Sequence, residues 1–579
     1  MKYYLNKKSN NNYQDLDNLT SNILNTYGVN DTKKYLNPTK ECENDYKLLK
    51  NIEKGVKCLL EHINNKDDIF VVVDSDCDGN CSASILIRYL KDSFNDVKIQ
   101  WSIHTGKQHG LSDDIEINNN VKLIILPDAG SSDYKQHKYW KDKGIDIIVL
   151  DHHEFEKESK DAIVVNNQAD DYPNKSLCGA GVVYKFLQAL DEELWQSKAD
   201  NYLDLVALAE IGDSMNITNL ETKYYITEGL KNIHSKMFKA LLKKQDYSIK
   251  GTININNIAF YIVPLINAMI RLGKQDEKEL MFKGFLEEYS EFDYKPRGDK
   301  PITKEDIYTR VARLSTNNKS KQNKLRDKAL EEIEEIIYEK NKLNDKVMII
   351  NCENKYNLNL TGVIAIKIAD KFNRPCILLN KSKDGTYRGS ARNTDRNEIK
   401  DLKQIINSTK SMEGIGHPQA HGVNILGSVP ESISKLNEIL KDVEFDDDSY
   451  KVMFIVPFED LQDEFVSKLD LLKNIWGHGL EEPLIAIKDI EVKADEIEVI
   501  GKKANTLKIV VDDVEFIKFN VDDNDELIKH TSSWEDNTKD KTFSIDIIGT
   551  CNVNRFNGES KPQINIKNYK INNNEVKCF

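Results

Sequence analysis

Three short apolar runs in this chain end in residues that can bind cations. Ile145 to Leu150 leads into Asp151-His152-His153, and Ile69 to Val73 leads into Asp74-Ser75-Asp76-Cys77-Asp78-Gly79. Val121 to Leu126 leads into Pro127-Asp128-Ala129-Gly130-Ser131-Ser132. Runs of this length read as buried strands of a parallel sheet. In an open α/β sheet, ligands gather outside the carboxyl ends of the strands. Carboxylates this close together repel one another unless a cation neutralises them. Mixed carboxylate and imidazole donors suit manganese or magnesium better than they suit a zinc thiolate site. Two such ions sharing one carboxylate would activate a water and clamp a phosphoryl group. The pattern points to metal-dependent phosphoester chemistry.

Each piece also has a plainer reading. Asp74, Asp76 and Asp78 could form an acidic turn that caps a helix starting near Asn80. An EF-hand loop fails, because its twelfth position, counted from Asp74, is Ile85 rather than Glu. Asp128 alone would be a helix cap, and two adjacent histidines alone would be loop residues. The stretch Arg388-Gly389-Ser390-Ala391-Arg392 reads as an open loop whose arginines flank small residues, so it can approach an anion closely. By itself it would be a solvated basic loop. His417, between Gly416 and Pro418, is equally open by itself.

The elements around these residues alternate. A helix is expected over 41–65, then strand 69–74, helix 80–92, strands 97–103 and 121–127, helix 133–143 and strand 145–150. Such alternation indicates a parallel sheet with crossover helices. Apolar helices follow at Val182 to Leu190 and Leu203 to Ile211. The stretch from 230 to 340 is helical and charged, and ends in a long amphipathic helix, Arg310 to Lys340, with a basic first half. Val347 to Ile350 opens a second α/β unit with a helix at Val363 to Phe372 and a strand at Cys376 to Leu379. From about 450 short alternating strands suggest a small barrel or sandwich. No internal repeat is visible, and the Asn-rich ends read as frayed.

With 579 residues, 39% hydrophobic and 30% charged, the chain suits a globular protein of roughly three or four domains. No stretch approaches about 18 consecutive apolar residues, and Met1 to Lys8 lacks the apolar core of a signal peptide. Nine scattered cysteines point to reduced thiols in a cytosol, and Cys77 and Cys81 have no second pair to complete a zinc spacing. A net charge of −14 counts against nucleic-acid binding when taken alone. Bound divalent cations would reverse the field locally, so the charge decides little.

Taken together, the motifs resemble the DHH phosphoesterase superfamily, and within it the RecJ-type single-strand-specific exonucleases. Asp74 to Gly79, Asp128 to Ser132, Asp151 to His153, and Leu203 to Leu208 with Asp213 match four motifs in order. His109 to Ser112, Gly179 to Val182 and Pro264 to Leu272 match RecJ-type spacers. Arg388 to Arg392 and Gly416 to Gly422 resemble the DHHA1 motifs, and Trp476 to Pro483 with the following strands resembles the RecJ oligonucleotide-binding barrel. The resemblance implies an α/β fold: a parallel-sheet DHH domain over 1–235, a helical connector over 236–345, a smaller α/β DHHA1 domain over 346–435 and a C-terminal OB-type β-barrel over 436–579.

It also implies roles. Asp74, Asp76, Asp78, Asp128, His152 and Asp213 would hold two Mn2+ or Mg2+ ions, with Asp128 bridging. His153 would contact the scissile phosphate and, with Asp128 and Asp151, form the catalytic group. Arg271, Arg388, Ser390, Arg392 and His417 would bind substrate. The implied activity is 5′→3′ degradation of single-stranded DNA to mononucleotides in repair and recombination. The implied setting is a monomer in the cytoplasm of a bacterium or a phage-infected host, away from membranes, working with a single-strand-binding protein or helicase. Trp476, Phe519 and Phe556 would be stacking platforms, and a basic helix from Lys319 to Lys328 would line the exit. Ile415 stands where the Gly-Gly-His motif has its first glycine, and Leu265 and Ile270 replace Arg and Gly before Arg271. Two rival readings are a DHH enzyme for short oligoribonucleotides or cyclic dinucleotides and a non-catalytic replication scaffold.

Overall fold

The computed structural model describes residues 1–106, 108–111, 115–169, 171–382, 384–394, 396–445, 449–501, 504–522, 525–532, 542–556 and 558–572. Ser112 and the side chain of Phe556, both singled out above, lie outside the described residues. Two compact units form, one from Pro38–Phe445 and one from Met1–Asn37 with Asp446–Phe579.

The larger unit opens with helix α1 (Ile52–Asn64). Asn51 before it has a left-handed backbone at φ 65°, and its side-chain amide donates to the carbonyl of Val164 at 3.0 Å. This break is why the helix expected over 41–65 begins only at 52, behind two short 3-10 turns. Strands β1 (Asp68–Val73), β2 (Lys98–Ile103), β3 (Val121–Pro127), β4 (Asp146–Asp151) and β5 (Ile163–Asn166) form one sheet in the order β2-β1-β3-β4-β5. Every pairing is parallel, so all five carboxyl ends open at one edge. The runs of Val and Ile along β1, β3 and β4 are buried, as a sheet covered on both faces requires. Helices α2 (Cys77–Ser93), α3 (Tyr134–Asp142), α4 (Gly179–Glu193) and α5 (Leu203–Gly212) follow in the chain.

Helix α6 (Val263–Leu272) continues a one-turn π-helix, and Pro264 sits in its first turn. The stretch Ile255–Leu272 is apolar and long enough to cross a membrane by length and composition alone, and half of it is buried in the unit. Helix α7 (Ile307–Glu339) starts at Asp306, whose side chain accepts from the Thr309 N–H. Its buried positions include Val311, Ser315, Asn318, Gln322, Ala329, Ile333 and Ile337, a stripe at helical spacing. The end of that stripe enters a core shared with β6 (Met348–Asn351) and α8 (Leu358–Phe372). The second sheet adds β7 (Cys376–Lys381), β8 (Tyr387–Arg392), β9 (Met412–His417) and β10 (Ala420–Ile425), in the order β9-β10-β8-β7-β6.

Residues 388–392 were expected to be an open loop, and here the structure differs. They form β8, paired on both sides, with Ser390 opposite Leu378 and Gly422. Gly389 is needed there, because a Cβ would lie 1.9 Å from the carbonyl oxygen of Leu378.

The smaller unit contains a seven-stranded sheet built from strands between Phe454 and Asn572. Residues 1–37 belong to this unit, not to the catalytic domain expected to begin at residue 1. The strand Lys2–Leu5 pairs in parallel with Ser449–Val452. The N-terminal asparagines are also not frayed. The side chain of Asn11 accepts from the Ile455 N–H at 2.7 Å and donates to the Ile455 carbonyl at 3.2 Å, which completes an edge that lacks a strand there. Trp476 is 1% exposed and belongs to the core of this unit, which removes it as a stacking platform, whereas Phe519 is 60% exposed.

Asn11→Ala should leave both backbone groups of Ile455 without partners and destabilise the smaller unit by roughly 1–3 kcal/mol. Amide exchange at Ile455 should accelerate. Unchanged exchange there would show that water satisfies this edge.

Candidate metal centre

The carboxyl edge of the first sheet gathers Asp74, Asp76, Asp78, Asp128, Asp151 and Asp213. Asp74 follows β1. Its Oδ2 meets Nδ1 of His109 at 2.6 Å, and its Oδ1 accepts from the Gly110 N–H at 3.2 Å. Asp76 caps α2 by accepting from the Gly79 N–H at 2.9 Å, so the cap reading is correct and compatible with a site. Asp78 lies in the first turn of α2 rather than in an extended turn. Its two oxygens accept from the Gly179 and Ala180 N–H groups, at 2.6 and 2.8 Å, at the positive end of α4. This close approach requires glycines. A Cβ on Gly79 would fall 2.5 Å from Cβ of Asp74, and one on Gly179 would fall 2.4 Å from Oδ1 of Asp128.

Asp128 adopts φ 69°, an uncommon backbone for a residue other than glycine, and its N–H donates to the Leu150 carbonyl at 2.8 Å. Both of its carboxylate oxygens are buried with no hydrogen-bond partner. Oδ2 of Asp213, just past the end of α5, is in the same state. A carboxylate at a helix C-terminus also opposes the helix dipole. His152 Nε2 lies 3.2 Å from Asp128, 3.4 Å from Asp213 and 3.9 Å from Asp78. Donor atoms of Asp74, Asp76 and Asp128 fall within 4.8 Å of one another, as do those of Asp78, His152 and Asp213. A third set, Asp128 with His152 and His153, overlaps both.

The electrostatics suit a site for cations. Burial first, and the neighbouring carboxylates second, push Asp128 and Asp213 well above the usual carboxylate range. Asp76 and Asp78 are raised for the same reasons. Burial and the adjacent His153 hold His152 well below its ordinary value, so it is a neutral imidazole able to donate a lone pair to a metal. The orphaned oxygens, the neutral imidazole and the oxygen-rich set together suit two hard divalent ions.

Asp151 behaves differently. Its burial acts to raise it, yet the His153 charge and hydrogen bond hold it below the usual range. It accepts from the N–H groups of Ser131, His152 and His153 and from His153 Nδ1, the last at 2.8 Å. Burial opposes the charge on His153, but Asp151 outweighs it and raises that group to about 10. With Nδ1 tied to Asp151, Nε2 of His153 is free to face a substrate. Asp151 thus fixes the ring of His153.

The second sheet brings His417 to the same place, with its ring 5.5 Å from that of His153. Burial lowers His417 to about 4. Arg271 at the end of α6 is held below its ordinary value by burial, against the pull of Asp76. Arg392 is lowered to about 10 by burial and then by Arg271, so two guanidiniums feel each other beside the carboxylates. Ser390 Oγ sits 2.9 Å from Thr361 Oγ1 on α8. Arg388 stands apart at the far end of β8, exposed and paired with Asp384 at 3.4 Å.

Known proteins resemble this chain over most of its length. Residues 68–209 match the DHH family, N-terminal domain, and residues 454–568 match the RecJ OB domain. The "Putative SPbeta prophage-derived single-strand DNA-specific exonuclease YorK" of Bacillus subtilis strain 168 is 40% identical over 557 residues, 95% of each chain. The chain belongs to the RecJ family. Bacillus subtilis RecJ, a single-stranded-DNA-specific exonuclease, is 25% identical over 544 residues, 90% of this chain and 64% of that protein. The crystal structure of Thermus thermophilus RecJ in complex with Mn2+ shares the fold at a TM-score of 0.73 and 17% identity, over 98% of this chain and 79% of that one. A structure of the same protein with Mg2+ matches at a TM-score of 0.68 and 17% identity, over 98% of this chain and 78% of that one.

Motif reading treated His109 and Gly179 as spacers, although they orient Asp74 and Asp78. It also missed Asn166, which ties the Ser131 hydroxyl to the His153 carbonyl at 2.8 and 2.9 Å. The available signal was position: Asn166 ends β5 beside the other strand-end residues.

Raised carboxyl values mean that the metal-free folded state holds protons which the unfolded chain has released. Stability is therefore lost as pH rises from the ordinary carboxylate range through the raised values. Chelated protein should melt at falling temperature over that range, and Mn2+ should restore most at the upper end. Asp128→Asn should flatten the chelated profile and raise its Tm near neutral pH. Parallel profiles for variant and wild type would contradict the repulsion argument.

Proposed function

We propose that this RecJ-family protein hydrolyses single-stranded DNA processively from the 5′ end and releases mononucleotides. The observation that carries the proposal is Asp128, whose two buried, unpartnered oxygens lie between two donor sets. The likeness to YorK over 95% of the chain supports the substrate class. Asp74, Asp76, Asp78, Asp128, His152 and Asp213 would hold two Mn2+ or Mg2+ ions, which supply Lewis acidity and a low-pKa water at a phosphodiester.

The protein's own groups do the rest. His153, fixed by Asp151, presents Nε2 to the phosphate undergoing attack, where a cationic donor stabilises developing charge. Arg271, Arg392 and Ser390 hold the terminal phosphate away from that bond, with His417 beside His153. A planar guanidinium pair matches phosphate oxygens well. Arg388, farther along the same face of β8, would meet the strand only beyond its end. Phe519 and the smaller unit would add sequence-tolerant contacts to longer strands. Action in the cytoplasm of a bacterium or phage-infected host, as a monomer cooperating with a single-strand-binding protein or helicase, belongs to the same proposal.

Strands labelled at the 5′ or the 3′ end and digested with Mn2+ should lose the 5′ label first, as a mononucleotide. Asp128→Ala should reduce the rate at least a hundredfold, because its loss opens both donor sets. Initial release of the 3′ label would overturn the polarity. Activity within tenfold of wild type would overturn the bridging role. Preference for a dinucleotide over a long strand would favour a small-substrate enzyme.

Arg392→Ala should raise KM more than it lowers kcat, because it acts at the strand end rather than at the breaking bond. The penalty should shrink on strands that lack a terminal phosphate. An equal penalty on both substrates would remove Arg392 from end recognition.

A further inference from the structure

At the amino edge of the first sheet, opposite the carboxylate centre, lies a second cluster of a different chemical kind. Cys58 and His62 are four residues apart on α1, so their side chains share one face. Asp146 begins β4 beneath them. Donor atoms of Cys58, His62 and Asp146 lie within 4.8 Å of one another. His62 Nε2 meets Asp146 Oδ2 at 3.1 Å, while its Nδ1 meets Asp67 Oδ2 at 2.8 Å.

We propose that Cys58, His62 and Asp146 form a second, structural metal site for a borderline-soft divalent ion, of which Zn2+ is the best fit. A thiolate, an imidazole and one carboxylate favour Zn2+ or Co2+ over the Mn2+ and Mg2+ that suit the oxygen-rich centre. Asp67 is placed as an outer partner, accepting from Nδ1 and leaving Nε2 to coordinate. Bonds of about 2.0–2.3 Å in a tetrahedron separate neighbouring donors by roughly 3.3–3.8 Å, so modest side-chain movement suffices. Asp146 keeps 39% of its side chain exposed, which gives an entry path and room for water as the fourth ligand. Lys141 pairs with Asp146 Oδ1 and helps keep that carboxylate ionised.

Burial, and then Asp146, raise the Cys58 thiol to about 11. The ion must therefore displace that proton and the one His62 Nε2 shares with Asp146: the S–H and N–H bonds break, the bonds to the metal form, and both protons go to solvent. Apparent affinity should tighten as pH rises while these groups are protonated. The site would pin α1 to β4 and to the lead into β1. Six residues of strand, on the order of 20 Å, separate it from the catalytic edge, so its role is to hold the sheet together.

The test uses the full chain, stripped with a chelator, resupplied with Mg2+ and titrated with Co2+. A thiolate-to-cobalt charge-transfer band should appear and saturate at one equivalent per chain. Cys58→Ser should abolish the band, His62→Ala should weaken binding at least tenfold, and Asp128→Ala should leave it unchanged. Cys58→Ser should keep metal-dependent nuclease activity within twofold. Absence of the band in wild-type protein, or its survival in Cys58→Ser, would overturn the site. If Cys58→Ser does not fold by circular dichroism, Asp146→Asn takes its place, and an unweakened band there is equally decisive against it.

Discussion

Mutual repulsion among Asp74, Asp76, Asp78, Asp128 and Asp213 is the constraint around which the larger unit is arranged. Packed this closely in a buried edge, Asp128 and Asp213 are tolerable only when protonated or when cations lie beside them. The surrounding backbone partly offsets the repulsion. The first turn of α4 donates two N–H groups to Asp78, and Asp76 takes one from its own helix. Gly79 and Gly179 permit the helices to come that near. Asp128 and Asp213 receive no such help at the oxygens named above, and Asp213 sits at the unfavourable end of α5. The fold thus offsets the charge of Asp76 and Asp78 in part and leaves that of Asp128 uncompensated by any hydrogen bond.

A second requirement is that side chains of the second sheet reach this edge. Helix α7 meets it by length. Its buried stripe packs on α6 in the first half and enters the core of the second sheet in the last. A continuous helix transmits position well, because a well-packed interior has little compliance. Arg392, Ser390 and His417 are presented by paired strands of that sheet, and a sheet holds side chains more closely than a loop does.

Much of this was legible because parallel strands write their carboxyl ends into sequence as apolar runs followed by polar residues. The acidic positions, the two sheets and the long helix follow from that pattern. What stayed hidden depended on partners distant in the chain. Residues 388–392 look like a loop because Gly389 and Ser390 have poor strand propensity, but close backbone approach overrides propensity there. The N-terminal strand gives no local sign that its partner begins at Ser449. Trp476 reads as a stacking surface until its burial is known. Cys58 and His62 have helical spacing that becomes a cluster only once Asp146 is brought beneath them.

Asp151 and Asp128 differ in how their carboxylates are satisfied. Both are buried aspartates at the ends of adjacent strands, and sequence motifs treat them alike. A carboxylate offers about four lone-pair positions. Asp151 fills its own with three backbone N–H groups and the His153 ring, and its charge is stabilised accordingly. Asp128 fills none, and its charge is unstable until a cation arrives. The donors that local backbone geometry supplies, rather than residue type or burial, account for the difference between these two residues. The left-handed turn at Asp128 matters for this reason: it commits that residue's N–H to Leu150 and leaves both carboxylate oxygens without a protein donor.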